Sequence, residues 1–178
     1  SIDITVSFII RFLLAFIFAR GAAHKLRHFS HFTVQLDSYR LVPDILIPGF
    51  SCLLILVEVF LTFGLLVEEW LYPSYIAAGV LALYAGAMGI NLLRGSEDLD
   101  CGCSGPSGFV QGISWALVSR NCVLAILALA TASPITSRSI SVLDVTTVMF
   151  ASIAVICIYA SLEQAMANQR RQNKYFAL

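Results

Sequence analysis

Long apolar stretches, separated by short polar ones, dominate the chain. Residues 71–93 contain no formally charged side chain, and about 20 apolar residues suffice for a helix to cross a hydrocarbon core about 30 Å thick. Four further stretches have the same character, each with at most one charge in its central part. The pattern predicts five membrane-spanning helices, at about 4–22, 45–67, 71–93, 113–132 and 141–163.

The polar intervals predict the connections. Residues 23–44 mix cations with apolar side chains, a pattern typical of a short helix that lies in the membrane interface. Residues 94–112 contain the sequence SEDLDCGCSGPSG and predict a polar loop. The fold class is therefore all-α: one transmembrane domain, residues 1–178, built as an integral membrane helical bundle with a four-helix core plus a fifth, C-terminal transmembrane helix.

Composition supports a membrane protein and excludes one class of partner. The chain is 58% hydrophobic and 12% charged, whereas soluble domains are about 45–50% apolar and about 25% charged. The lipid bilayer is thus the first expected partner. Formal net charge is zero, so no basic field favours nucleic acid.

The distribution of cations gives the five helices an orientation. Eight of the eleven Lys and Arg residues fall on the side of the bundle that carries loop 94–112, and one falls on the other. The positive-inside rule then places the loop in the cytoplasm.

Two cysteines in the loop are the main candidates for chemistry. Cys101 and Cys103 can approach within disulfide range if the chain bends tightly at Gly102, which glycine permits because it has no Cβ to clash. Such a small ring is strained and closes almost no loop, so it adds little stability and is readily reduced. The neighbouring carboxylates disfavour the thiolate. We interpret the pair as redox-active.

Other interpretations of the same residues remain open. His24, His28 and His31 are spaced to line one stripe of a helix, and with the two thiolates they would supply ligands for zinc or copper. The cysteines are incidental if the protein is only a membrane anchor for a partner. The chain has five cysteines, an odd number; Cys122 and Cys157 are expected to be small buried apolar residues, while Cys52 is the best candidate for an additional, resolving thiol.

Charged and amide side chains inside the predicted spans form a second group of candidates. Glu58 lies near the middle of the second span, and Arg11 and Arg120 lie within the first and fourth. Because an unpaired ion in lipid is costly, we expect a Glu58–Arg11 or Glu58–Arg120 pair. These charged groups have two alternative roles. They form a structural clasp between helices, or they act as a proton relay or quinone-contacting group that also uses Asn91 and Asn121.

Several motifs together resemble one known family. They are FARGAAHKL, SYRLVP, LVEVFLTFGLL, LLRGSEDLDCGCSG and SRNCVLAILAL, and the likeness covers about residues 8–130. The chain resembles the MauE family of methylamine-utilisation membrane proteins, allied to the DoxX-like group. Ser104 departs from the phenylalanine that this family usually has after the second cysteine.

The resemblance carries implications for function. It implies a multi-pass protein of the bacterial inner membrane that helps to mature the disulfide-rich methylamine dehydrogenase beside a thioredoxin-like, MauD-like partner. Cys101 and Cys103 would be the working thiols, and Glu58, Arg120 and Asn121 would be interior polar residues. A quinone is a candidate second redox partner. Disulfide formation belongs outside the cytoplasm, which opposes the orientation indicated by the cations, so the side of the loop stays open.

Overall fold

The computed structural model consists of α-helices joined by turns. It describes residues 3–67, 71–95, 112–133 and 141–176, with side chains described up to residue 166 and at 168, 169 and 172. Within this part of the chain there are six α-helices and no strands: α1 Ile4–Arg27, α2 Phe29–Ser38, α3 Ile47–Gly64, α4 Tyr72–Leu93, α5 Trp115–Ala130 and α6 Val142–Phe176, with a 3-10 turn at Asp44–Leu46. The all-α membrane bundle is confirmed.

The first helix is longer than its apolar stretch. Asp3 caps its start by accepting a hydrogen bond from the backbone N–H of Thr5 at 2.9 Å. The helix continues to Arg27, five residues past the predicted end, and Lys25 in its last turn is buried. His28 leaves the helical conformation, with φ −126° and ψ 47°, and α2 then begins at Phe29. Residues 23–27 therefore belong to α1 and not to a separate interfacial segment.

The remaining helices start with recognisable signals. Pro48 and Pro73 stand in the first turns of α3 and α4, where a missing N–H leaves no hydrogen bond unmade. Ser114 caps α5 by accepting from the backbone N–H of Leu117. The last helix begins at Val142 and continues to Phe176, thirteen residues beyond the predicted end at 163.

Helix α1 lies at the centre of the bundle. It packs against α3, α5 and α6, while α4 packs mainly on α5 and α2 lies on α3. We call the end where α1 and α4 finish and α5 begins the loop end, and the opposite end the turn end. The apolar core comprises Leu13, Leu14, Ala15, Phe18, Leu61, Leu65, Ala77, Ala78, Leu81, Leu124 and Ala128.

Four segments are long and apolar enough to cross a membrane: Ile4–Arg27, Asp44–Gly64, Tyr72–Leu93 and Val142–Met166. In the last of these only 6% of the most apolar window is buried, so α6 lies at the outside of the bundle, where Val155, Ile156 and Tyr159 pack against the core. The 16 residues of α5 are apolar but form a shorter helix. The protein is therefore a multi-pass membrane protein.

Candidate functional site

The segment of sequence that contains the two loop thiols is flanked on both sides by well-packed residues. Cys101 and Cys103 lie outside the described residues. Before them α4 ends at Leu93 and the chain turns at Gly95, whose φ of +76° is favourable for glycine. After them the described chain resumes at Gly112. Both thiols are thus attached at the loop end of the bundle.

Tyr39 is the common contact of both anchors. Its side chain packs in one cluster with Met88 of α4 and with Ile113 and Leu117 at the start of α5. The amide nitrogen of Asn91 donates to the carbonyl oxygen of Tyr39 at 3.3 Å and to that of Ala87 at 3.0 Å. Asn91 therefore fastens the end of α2 to α4. It does not line the cavity that Glu58, Arg120 and Asn121 share.

Glu58 pairs with a residue that the sequence placed outside the bundle. Its Oε1 accepts a hydrogen bond from the ammonium of Lys25 and another from the Tyr84 hydroxyl at 2.6 Å. Lys25 also donates to the Tyr84 oxygen at 2.9 Å. The expected pairing of Glu58 with Arg11 or Arg120 is wrong, because the extra turn of α1 carries Lys25 into the bundle.

Arg120 belongs to a second cluster. The carboxylate of Glu163 on α6 accepts from Arg120 at 2.9 Å and from Arg20 of α1. Arg120 also lies 3.5 Å from the side-chain oxygen of Asn121, and the Arg20 guanidinium stands 6.0 Å from the centre of the Tyr159 ring. One buried carboxylate thus joins three helices.

Arg11 acts at the opposite end of the bundle. Its guanidinium donates to the carbonyl oxygens of Val67 at 3.0 Å and Thr131 at 3.4 Å. These carbonyls follow the ends of α3 and α5, where no further helical turn supplies a donor. The buried arginine therefore ties the ends of α3 and α5 together at the turn end.

A small polar cavity of about 40 Å³ separates the two clusters. Glu58, Arg120, Asn121, Lys25 and Glu163 are among its lining residues. The Glu58 Oε2 and the Asn121 amide nitrogen are buried and have no hydrogen-bond partner among the described residues. The volume has room for about three water molecules, and water is the simplest partner for both groups.

A larger apolar cavity of about 370 Å³ adjoins the first at Lys25 and Tyr84, which line both. It lies between α1, α2, α3 and α4 at the loop end. Its other lining residues are Phe32, Gln35, Leu36, Tyr39, Leu41, Val42, Phe50, Leu54, Leu83, Gly86, Ala87, Met88 and Ile90. Its size falls within the range of small-molecule sites, about 300–1,000 Å³.

The remaining cysteines face outward. Cys52, Cys122 and Cys157 are exposed on the surface of the bundle, so the expectation of small buried thiols in Cys122 and Cys157 is wrong. The apolar core is filled without them, and their side chains lie on the outer surface of the bundle. Cys52 lies in the second turn of α3 at the loop end.

The three histidines do not form one stripe. His28 stands at the break between α1 and α2, so His24 and His31 belong to different helices. The rings of His24 and His28 are 5.2 Å apart. Within the described residues no three His, Cys, Asp or Glu side chains are placed to hold a metal ion.

Sequence reasoning missed Lys25, Tyr84, Arg20 and Glu163 as members of the interior clusters. A signal was present in α1, where Arg11, Phe18 and Lys25 follow each other at intervals of seven and share one buried face. In α6, Tyr159 and Glu163 are four residues apart on the face toward α1. Following each helical face beyond its apolar stretch would have found both Lys25 and Glu163.

Comparison with known proteins gives a consistent result. The family model described as methylamine utilisation protein MauE matches residues 4–133. The chain is similar to the methylamine utilization protein MauE of Paracoccus denitrificans, with 36% identity over 93% of this chain and 90% of the relative. It is similar to the protein of the same name from Paracoccus versutus, with 32% identity over 85% of this chain and 82% of the relative.

No solved structure matches the chain. The family match nevertheless covers more than half of its length, and it includes α1, α3, α4 and α5 with both anchors of the thiol loop. The chain belongs to the MauE family of methylamine utilisation proteins.

Proposed function

We propose that this protein is a membrane thiol–disulfide oxidoreductase that serves methylamine utilisation. Cys101 and Cys103 form the working pair. One attacks as a thiolate to give a mixed disulfide with a partner, and the other resolves it. The partner is a thioredoxin-like protein of the MauD kind. The pathway matures a disulfide-rich enzyme such as methylamine dehydrogenase in the bacterial inner membrane.

The anchoring of the thiol loop is the observation that best supports this proposal. The chain on either side of residues 96–111 is packed into the bundle. Before this segment, Asn91 bonds to Tyr39 and Met88 packs on it; after it, Ile113 belongs to the same cluster. Cys101 follows Gly95 by six residues, so the chain length keeps it within about 20 Å of Gly95. A tether of this length limits how far Cys101 can lie from the anchored end of the loop.

The chemistry requires a second redox partner. When Cys101 and Cys103 form a disulfide, two electrons and two protons leave the sulfurs. A quinone accepts both electrons and both protons and becomes a quinol, and it is soluble in the lipid that surrounds the protein. Cys52, at the loop end of α3, remains the candidate for an additional resolving thiol.

The proposal is tested by counting thiols and by following the partner. In the isolated protein, treatment with reductant is expected to add two thiols that react with a maleimide. The variants Cys101→Ser and Cys103→Ser should remove this change and should block maturation of the disulfide-rich enzyme in cells. Cys122→Ser, which changes an outward-facing thiol of α5, is the matched control. Normal maturation with both loop cysteines replaced would overturn the proposal.

A further inference from the structure

We propose that the apolar cavity between α1, α2, α3 and α4 binds the ring of a prenylated quinone, with Gln35 and Lys25 as hydrogen-bond donors to its carbonyl oxygens. The role of this quinone as electron acceptor rests on the proposed function. The binding site itself rests on the geometry of the cavity. None of the interior residues selected from the sequence, Glu58, Asn91, Arg120 and Asn121, lines this cavity.

Gln35 provides the first indication of a ligand. Its amide nitrogen is buried and has no hydrogen-bond partner among the described residues, although Gln35 lines the cavity. A buried donor without an acceptor is costly, so such groups are rare and call for an explanation. A carbonyl oxygen of a bound molecule is the acceptor that this amide lacks.

Lys25 provides the second donor. Its ammonium carries three N–H groups, of which Glu58 and Tyr84 accept two. The Tyr84 proton is used in its bond to Glu58, so Tyr84 positions Lys25 and does not itself donate to the ligand. No hydrogen bond among the described residues uses the third N–H of Lys25, and the ammonium lies 5.1 Å from the centre of the Phe32 ring in the cavity wall. An acceptor in the cavity would use this N–H.

The charged residues beside the apolar cavity favour a ligand without a net charge. Glu58 already neutralises Lys25, and among the described residues no other charged side chain lines the apolar cavity. A fatty-acid carboxylate would therefore enter an apolar site without a free counter-ion, which is costly. A quinone carries two carbonyl acceptors and no charge, and it matches both the donors and the walls.

The cavity opens to the side that lipid occupies. Its rim on α4 is formed by Leu83, Gly86 and Ile90, and Leu83 and Ile90 are 47% and 43% exposed. A polyprenyl tail can leave through this opening while the ring stays inside. Ile90 stands one turn before the end of α4, so the cavity borders the first anchor of the thiol loop.

The redox step balances with these components. The thiols of Cys101 and Cys103 form one sulfur–sulfur bond and lose two electrons and two protons. The quinone takes up both electrons and both protons, and its two carbonyl oxygens become hydroxyls. The quinol then returns to the lipid through the opening on α4.

Glycines of α4 allow a matched pair of variants. A Cβ at Gly86 would meet no atom within 4 Å, and the same holds at Gly79, two turns earlier on the same face of the helix. Only Gly86 lines the cavity. Gly86→Phe should therefore obstruct the site without moving the backbone, and Gly79→Phe should leave the site intact.

Photolabelling of the full chain in lipid nanodiscs tests the site. The probe is an azido-benzoquinone with a decyl tail, competed by the decyl benzoquinone without the azide. Labelling is expected on peptides of α2 and α4. It should fall by about tenfold or more in Gly86→Phe, weaken by about fivefold in Gln35→Leu, which loses one hydrogen bond, and stay unchanged in Gly79→Phe.

Three results would overturn the site: equal labelling of Gly86→Phe and Gly79→Phe, labels mapped away from α2 and α4, or displacement of the probe by palmitate as readily as by the quinone. The last would identify a lipid-chain site. A protein with both loop cysteines replaced by serine should still bind the probe. If the probe does not bind but maturation still depends on Cys101 and Cys103, the quinone site alone is rejected. If the probe binds but maturation does not need these thiols, the proposed function is rejected and the site stands.

Discussion

At the scale of single residues, the Lys25–Glu58 pair is the contact whose loss is expected to destabilise the protein most. The two residues are 4% and 2% exposed, so both ions are almost fully removed from bulk water. Removing one member of a buried ion pair leaves the other charge uncompensated, which destabilises a protein by about 3–5 kcal/mol. Tyr84 bonds to both and does not neutralise either.

Glu58→Gln and Lys25→Met should each lower the free energy of unfolding by about 3 kcal/mol. The double variant should lose clearly less than the sum, because neither charge is then left alone. Unfolding in mixed micelles with increasing dodecyl sulfate, followed by circular dichroism, measures these changes. Asp37→Asn, at an exposed position of α2, is the control and should be near neutral. Additive losses in the double variant would contradict the pairing.

The sequence predicted that Glu58 needs a partner but not which one. Burial of a charge in an apolar helix demands a counter-ion on energetic grounds, and this holds whatever the fold. The choice of partner depends on helix length, rotation and depth, which hydropathy does not report. Lys25 was assigned to the interface because the apolar run ends before it, although the backbone hydrogen bonds of α1 continue to Arg27.

At the scale of helices, Glu163 attaches α6 to the bundle through polar contacts, whereas the other helices are attached mainly by apolar packing in the core. Little of α6 is buried, and it packs mainly on α1. The carboxylate of Glu163 is 5% exposed and binds Arg20 of α1 and Arg120 of α5. Polar contacts between helices gain importance in lipid, where apolar side chains have no water to leave.

Glu163→Gln should weaken the attachment of α6 and lower the free energy of unfolding by about 1–3 kcal/mol, because two guanidiniums lose their counter-ion. Arg120→Met in the same background should add little, and the coupling between the two changes should reach about 0.5–3 kcal/mol. The same micelle titration measures both. Gln164→Ala, next to Glu163 and exposed, is the control. Losses of equal size in Gln164→Ala would show that the attachment does not depend on this carboxylate.

The helices themselves were largely predictable, and their ends were not. Apolar stretches located α1, α3, α4, α5 and the first part of α6, because lipid-facing helices must be apolar over most of their length. The extension of α6 from 163 to Phe176 lies in a polar segment, where hydropathy cannot distinguish helix from loop. The break between α1 and α2 is a change in the backbone dihedral angles of His28. The spacing of apolar residues gives no indication of it.

At the scale of the whole molecule, the order of the helices places three features at one end. Helix α2, the anchors of the thiol loop and the last turns of α6 all lie at the loop end, since α1 and α4 finish there and α5 begins there. The start of α6 lies at the turn end. The membrane side of the thiols is thus tied to the side of α2.

Accessibility to a membrane-impermeant maleimide on intact cells should follow this arrangement. In a background without the native cysteines, Asp37→Cys and Gln172→Cys should react from the same side as single cysteines at 101 and 103, and Ser141→Cys should react from the opposite side. The labelled side then decides between the orientation indicated by the cations and the one required for disulfide formation. Labelling of Asp37→Cys and Ser141→Cys from one side would contradict the arrangement of the helices.

The class of molecule followed from composition, whereas the site needed three dimensions. Apolar content and span lengths were enough to predict an all-α membrane bundle, because lipid admits few other structures. Glu58, Arg120 and Asn121 were selected from the sequence and do meet at one cavity. The apolar cavity had no such signal, because its walls are ordinary hydrophobic residues that become a site only when α2 folds against α3 and α4.

The length of α5 affects the lipid around it. Sixteen residues span about 24 Å, several ångströms less than the hydrocarbon core of a typical bilayer, about 30 Å. Acyl chains beside a short helix must shorten or tilt, at a modest free energy per ångström. The leaflet next to Trp115 is therefore expected to be locally dimpled, which brings headgroups and water inward at the point where the cysteine-bearing segment rejoins the protein.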